Sequence, residues 1–461
     1  MNPAEHVPVI PSGYAPPAEL FERGRALAQQ TPPSAHADHP VVADDRPGVV
    51  DFVEETHADR LPELLPLRME RMAQTPYSFF RGAAGMQAAD LVGSPSSGLS
   101  AQLCGDAHAA NFGLYGTSDG DVVMDINDFD ETVPGPWEWD LKRLATSLVL
   151  AGRVGGVSEK KSQNAAQDAV KAYRRTVRRL AGAPHLRTWT ALADESTLGE
   201  HQVEHLSEHL STAVDKARRN TSDRVVSKAV QHIDDHETGI RRQQFVEEPP
   251  VLWHLPDDHE QAVMAGVQDY VSTLRESRAR LLERYAMVDA AFRVVGTGSV
   301  GMRSYVVLLD GNADENLVLH VKQAGPSSLA PYLPDLPEAA HQGQRIVQGA
   351  RLVQVSTDIL LGWTTIDGRP YIVRQFRNRK GSLDPTDMPG KALDDYGRLC
   401  GGLLARAHCR SLRPRLLEGY LDDDSELDNA ICAYAVKYAD QTEADHETLV
   451  KAIASGRLPK R

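Results

Sequence analysis

Apolar residues recur along the chain in two periods, and the switch between them marks where the architecture should change. Val263, Val267, Tyr270, Val271, Leu274, Leu281 and Tyr285 fall at helical spacing behind Asp257 and Asp258, which are N-cap candidates. The whole stretch from Trp139 to about Tyr285 reads as helical, and Leu64–Met72 as a shorter helix. From Ala291 the pattern becomes β-branched and short. Ala291–Val295, Ser304–Leu309 and Asn316–Lys322 predict three strands of an antiparallel meander, parted by Gly-rich or Asp/Asn-rich turns. A helix over Pro337–Val355 follows, then a strand pair over Asp358–Val373 turning at Asp367-Gly368, and a helix over Leu393–His408. Upstream, two strands fall between Leu103 and Phe129, the second being Asp121–Ile126, bounded by Gly120 and Asn127-Asp128. The expected class is α+β.

Composition changes this picture at one place. Residues 1–50 hold nine of the 28 prolines, including the pairs Pro16-Pro17 and Pro32-Pro33, and read as an extended or partly ordered arm. A formal net charge of −14 argues against broad nucleic-acid or anionic-membrane binding. No apolar run approaches the roughly 18 residues of a membrane span, and Met1–Leu20 shows no basic-then-apolar pattern, so a cytoplasmic protein is expected. Cys104, Cys400, Cys409 and Cys432 lack C-x-x-C spacing, so neither a disulfide framework nor a zinc knuckle is expected.

Chemistry enters with two constellations. The first is Cys104-Gly-Asp-Ala-His-Ala-Ala-Asn111, followed by Asn127-Asp-Phe-Asp-Glu131 and Trp137-Glu-Trp-Asp140. Phosphoryl transfer needs a carboxylate to orient or deprotonate a hydroxyl, and oxygen ligands to hold Mg²⁺ against phosphates. Asp106 with neighbouring His108 supplies the catalytic candidates; Asn111, Asp128 and Asp130 supply the metal candidates, with Asp125 competing for the same place.

The second constellation is Gly296-Thr-Gly298-Ser-Val-Gly301, a G-x-G-x-x-G pattern. A strand follows it instead of the helix a dinucleotide fold requires, and backbone amides of such a loop cover nucleotide phosphates. Lys322 closes the third strand, where burial demands an anionic partner. Glu338 is its nominal partner on the next helix, with Gln344 and Gln348 nearby. Arg374, Arg377, Arg379 and Lys380 form a basic run, and Arg81 before the catalytic segment is a further anion candidate. His201, His205 and His209 would align on one helical face alternating with Glu204 and Glu208, as a solvated face.

These motifs resemble the protein-kinase-like superfamily, especially its aminoglycoside- and choline-kinase branch. The resemblance implies a two-lobed fold, with a small antiparallel-sheet lobe and a larger helical lobe. It makes Asp106 the base, Asn111 and Asp128 metal ligands, Lys322 and the glycine loop nucleotide-binding, and Asp140 a brace for the catalytic loop. Cys104 stands where the family has His, which leaves one bracing contact unassigned. The order is inverted, because Asp106 precedes Gly296, whereas kinases place the glycine loop first. Reading from Ala291 to His408 and then from Leu103 restores the order, as a circular permutation would. The implied division is an arm at 1–50, a catalytic-loop region at 51–288, a nucleotide-binding region at 289–390 and returning helices at 391–461.

From about Leu61 to Ala454 the chain also resembles the bacterial domain-of-unknown-function family 2252. The resemblance rests on Arg68-Met-Glu-Arg-Met-Ala, Phe79-Phe-Arg-Gly-Ala-Ala, the two acidic motifs above, Leu404-Ala-Arg-Ala-His408 and Tyr438-Ala-Asp-Gln. The expected activity is transfer from ATP, with Mg²⁺, to a hydroxyl on a small molecule. Nucleotidyl transfer to protein hydroxyls and a non-catalytic nucleotide-binding scaffold are the competing readings. A metallophosphoesterase would need a later G-N-H-[DE] loop, which the sequence lacks.

Overall fold

The computed structural model describes residues 14–37, 41–190, 203–234, 241–294, 299–313, 315–421 and 425–461. Gly296, Gly298 and His201 lie outside them. Among the described residues the strands are β1 Ser100–Gln102, β2 Phe112–Gly116, β3 Val122–Ile126, β4 Pro134–Pro136, β5 Val230–Asp234, β6 Arg241–Phe245, β7 Leu252–His254, β8 Ala286–Arg293, β9 Ser304–Asp310, β10 Asn316–Gln323, β11 Gly362–Ile366, β12 Arg369–Gln375 and β13 Gly381–Ser382. The largest sheet is six-stranded and antiparallel, in the order β11-β12-β10-β9-β8-β7. A second sheet, β13-β2-β3, carries the acidic hairpin, while β1 pairs with β4 and β5 with β6.

Alternation explains why the large sheet is buried on both faces. Tyr305, Val307, Leu309, Leu319, Val321, Tyr371 and Val373 face the helix Asp257–Tyr270. Val306, Leu308 and Val318 face Phe245 of β6. On this second side β10 continues into His320 and Lys322, which stand opposite Arg374 and Ile372 of β12. Both strands therefore turn polar side chains toward the same space.

Under that space lies the main apolar core, built on the helices Trp137–Val154, Glu159–Ala181, Gly390–His408 and Glu426–Ala454. Gly397 and Gly401 let the third of these lie directly on the second. A Cβ at Gly401 would sit 2.0 Å from the Ala169 carbonyl oxygen, and one at Gly397 2.5 Å from that of Ala165.

Four expectations are corrected. Of the arm expected to be extended or partly ordered, the described part is not extended: Pro17 occupies a first-turn position of a helix, Pro17–Gln30, where its missing N–H costs nothing. This helix rests on Pro414–Tyr420, with a Gly24 Cβ position only 2.2 Å from the Leu416 oxygen. The Trp139–Tyr285 stretch is interrupted by β5, β6 and β7. The Asp257 helix ends at Tyr270, is capped by Pro256, and keeps Asp257 and Asp258 in its first turn. The helix expected from Pro337 begins at Gln342, capped by the His341 ring accepting from the Gln344 amide.

Candidate active site

The segment 104–111 has little regular structure and is held by side chains from distant elements. Asp140, in the first turn of the Trp137 helix, accepts from the amides of Cys104 (2.8 Å) and Gly105 (3.0 Å). Gly105 has φ +82°, and a Cβ there would meet the Glu131 oxygen at 2.2 Å, so only glycine lets the two loops touch. Ser147 Oγ accepts from the Ala109 amide, Tyr77 hydroxyl from the Ala110 amide, and Tyr396 hydroxyl donates to the Ala109 carbonyl. His408 Nε2 lies 3.2 Å from Asp140 Oδ2, and its Nδ1 2.8 Å from the Tyr173 hydroxyl. Asp140 is thus steadied by an imidazole from the far end of another helix, Gly390–His408.

Asp106 projects from this loop. Arg143 Nε donates to its Oδ1 at 2.5 Å, while the rest of the guanidinium donates to the Gln87 side chain and the Phe80 carbonyl. Burial first, and then the Asp128 charge, raises the Asp106 carboxyl above its ordinary range, with Arg143 opposing. His108 Nε2 lies 3.6 Å from Asp106 Oδ2. Burial, then Arg81 and Arg143, pushes this imidazole well down, so it is neutral beside the carboxylate.

Asn111 joins the loop to the acidic hairpin. Its Nδ2 donates to the carbonyls of Asp106 and Asp128, both at 3.0 Å, and its Oδ1 accepts from the Asp128 amide at 2.8 Å. One Oδ1 lone pair is left over. Asp128 and Asp130 follow on the turn after β3. Lys322, only 4% exposed, reaches them from the sheet: its Nζ bonds Asp130 Oδ2 and lies 3.8 Å from Asp128 Oδ2. Loss of hydration opposes the ammonium, but the two carboxylates outweigh it and raise its pKa. Loss of hydration likewise opposes the Asp128 carboxylate, yet Lys322, Arg374 and Lys380 hold its pKa down to about 2. Asp130 is pushed up to about 6, by burial first and Asp128 second.

Asp106, His108, Asn111, Asp128, Asp130, Asp140 and Lys322 therefore come together, joined through direct contacts. Glu338 does not: it is exposed on the segment before the Gln342 helix, and the ion partners of Lys322 are the hairpin acids. That helix contributes Arg345, which donates to the carbonyls of Thr132, Asp130 and Gly325. Asp125 is withdrawn from competition by Arg406 at 3.0 Å, behind β3. Gly301 has φ +90°, and its turn is tied to the segment before residue 62: the Leu61 amide donates to the Gly301 carbonyl and Arg60 to that of Val300.

Arg143, Arg345, Arg406 and His408 escaped sequence reasoning because each acts across a long stretch of chain. Arg143 left a trace three residues after Asp140, one helical turn along the same face, while Arg406 and His408 lay within the motif Leu404–His408 without a role.

Beside Asp128 opens a cleft with Phe129, Ile346, Leu361 and Ile372 among its apolar walls and Asp358, Arg374 and Lys380 among its polar ones. Among the described residues no three His, Cys, Asp or Glu side chains converge as a metal cluster. Two carboxylates suit magnesium nonetheless, because that ion keeps waters and takes its remaining ligands from phosphates. Asp130 Oδ1 is buried without a hydrogen-bond partner, an acceptor that fits a cation.

Fold and site together define a mixed α+β protein, built on antiparallel sheets, with a lysine–carboxylate centre where sheet and helices meet. The chain belongs to the family described as uncharacterized protein conserved in bacteria (DUF2252), whose model matches residues 60–452. No curated protein and no solved structure matches it. No helix among the described residues is long and apolar enough to cross a membrane.

Proposed function

We propose that this chain is a kinase-like phosphotransferase, moving a phosphoryl group from ATP with Mg²⁺ to a hydroxyl on a small-molecule acceptor. The observation that carries the reading is Lys322. It arrives from the third strand of the β8–β10 meander and makes its ion contacts with the very hairpin that Asn111 ties to Asp106. A lysine on that strand and an Asp–Asn pair on a catalytic loop are the kinase solution to holding phosphates and metal.

Asp106, joined through Asn111 to the cleft residue Asp128, would orient the acceptor hydroxyl and receive its proton, with its rotamer fixed by Arg143. Asp128 and Asp130, with the spare lone pair of Asn111, would hold the magnesium ion. The ion's contribution when bound is to neutralise phosphate charge. The apolar walls of the cleft suit a nucleotide base.

Circular permutation draws support from two segments that lie near the borders of the family-matched region. Val49, Val50, Phe52 and Val53 share one apolar cluster with Leu449, Ala452 and Leu458, and Arg457 reaches Asp51 at 2.7 Å. Segments this close are the condition under which a chain can be joined there and reopened elsewhere.

The test is thermal unfolding with ATP, with and without Mg²⁺, on wild type and Asp128→Ala. At a hundredfold excess over Kd, binding adds about 2.7 kcal/mol, and this should vanish in the variant. Absence of a metal-dependent shift in wild type removes the proposal. Asp106→Asn should bind ATP yet turn none over. Release of ADP marks phosphoryl transfer, whereas pyrophosphate would mark nucleotidyl transfer.

A further inference from the structure

The basic run at residues 374–380 divides into committed and uncommitted cations. Arg377 lies over the Phe376 ring and donates to Asn220 Oδ1, and Arg379 donates to the Gly120 carbonyl. Arg374 and Lys380 instead line the cleft beside Asp128. Neither side chain donates a hydrogen bond or pairs with a carboxylate within 4 Å among the described residues, and Arg374 Nε is buried without any partner.

The neighbours that could neutralise them are engaged elsewhere. Asp358, on the same wall, accepts from the Leu360 amide, the Gln375 amide and the Gln375 side chain. Asp128 feels both charges but has its contact within 4 Å with Lys322. Asp130 is taken by Lys322. The Lys380 backbone is meanwhile held in place, its carbonyl accepting from Asn220 Nδ2 at 2.6 Å. Two positioned cations that no carboxylate reaches within 4 Å, on the wall of a cleft they share with Asp128 and Asp358, cost desolvation free energy that an entering anion would offset.

We infer that Arg374 and Lys380 form a phosphate subsite of this cleft, which receives the polyphosphate of the nucleotide alongside Asp128. The inference deepens the nucleotide reading and rests on it for the identity of the ligand, but not for the existence of the subsite. Guanidinium and ammonium complement phosphate oxygens as a fork and a point charge respectively. Lys322 is occupied by carboxylates, so these two residues supply the positive charge that a −14 chain otherwise lacks here.

The test is calorimetric titration of the full chain with tripolyphosphate, ATP and adenosine in Mg²⁺ buffer. Wild type should bind tripolyphosphate, and Arg374→Gln and Lys380→Gln should each weaken it about tenfold or more, the scale of one charge-assisted hydrogen bond. Adenosine affinity should stay within about twofold, and Lys380→Arg should retain most tripolyphosphate affinity. As a readout on unmodified protein, tripolyphosphate should shield Lys380 from amine acylation followed by mass spectrometry. No tripolyphosphate binding by wild type, equal binding by both Gln variants, or undiminished labelling of Lys380 overturns the subsite. A parallel loss of ATP affinity names the nucleotide as its source; loss for tripolyphosphate alone keeps the subsite and assigns it to free polyphosphate. Tripolyphosphate binding that depends on both cations, without any Asp128-dependent ATP stabilisation, leaves the subsite standing while the phosphotransferase reading falls.

Discussion

Arg143 serves three masters with one guanidinium: the Asp106 carboxylate, the Gln87 amide and the Phe80 carbonyl. Replacing it with Met would free Asp106 to rotate and leave two acceptors unpaired. Turnover by the proposed reaction should fall about a hundredfold, as misplaced catalytic groups do. Arg143→Lys should recover only part, because a point charge cannot span the three; steady-state kinetics decides. Asp289 offers a pH prediction away from the cleft. Burial pushes its pKa up to about 6, while Oδ2 accepts from the Phe245 amide at 2.6 Å. The folded state therefore binds this proton more tightly than the unfolded chain, so stability falls as pH rises from about 4 to about 6 and then levels. Asp289→Asn should be the more stable protein at pH 8, by on the order of 2 kcal/mol, with the difference closing at pH 4. Urea unfolding at the two values checks it. At this scale Asp106, Asn111 and Asp128 were legible because their chemistry is carried by spacing along a short stretch. Their supports were not. Arg143 and His408 are recognisable only once the packing shows what they touch.

Helix pairing is decided by the smallest side chains. The Gly390–His408 helix seats Gly397 and Gly401 on the carbonyls of Ala165 and Ala169. Gly401→Ala should cost roughly 1–3 kcal/mol by overpacking, despite raising helix propensity, and denaturant titration gives the sign directly. Gain of stability would mean the helices can part. The meander β8–β10 was readable because Tyr305–Leu309 is apolar at every position, as a strand buried on both faces must be. β5 and β6 were missed because their sequences, Val-Gln-His-Ile-Asp and Arg-Arg-Gln-Gln-Phe, are mostly polar and place little on the core beyond Phe245. Proline density misled for a different reason: at a helix start proline supports the helix it would break further in.

For the molecule as a whole, Arg46 is the clasp. It bonds Asp90 at 2.8 Å and Asp445 at 2.6 Å, tying the first and last parts of the chain to a helix between them. Asp90 has a fully buried side chain, so Arg46→Met strands a charge in the interior. A loss of about 3–5 kcal/mol is expected, with part restored by adding Asp90→Asn. Equal stability of the single and double variants would show that Asp90 does not need the arginine. Such long-range closure leaves little trace in local sequence, which is why the arm reads from its prolines as extended or partly ordered. Closure also has a consequence in time. His408, which steadies Asp140, and Lys322, which meets Asp128, are both synthesised long after residues 104–111. At about 5–20 residues per second, the loop waits many seconds on the ribosome before its supports emerge. A growing chain therefore cannot carry the finished cluster, and any fragment released early lacks the contacts of His408 and Lys322.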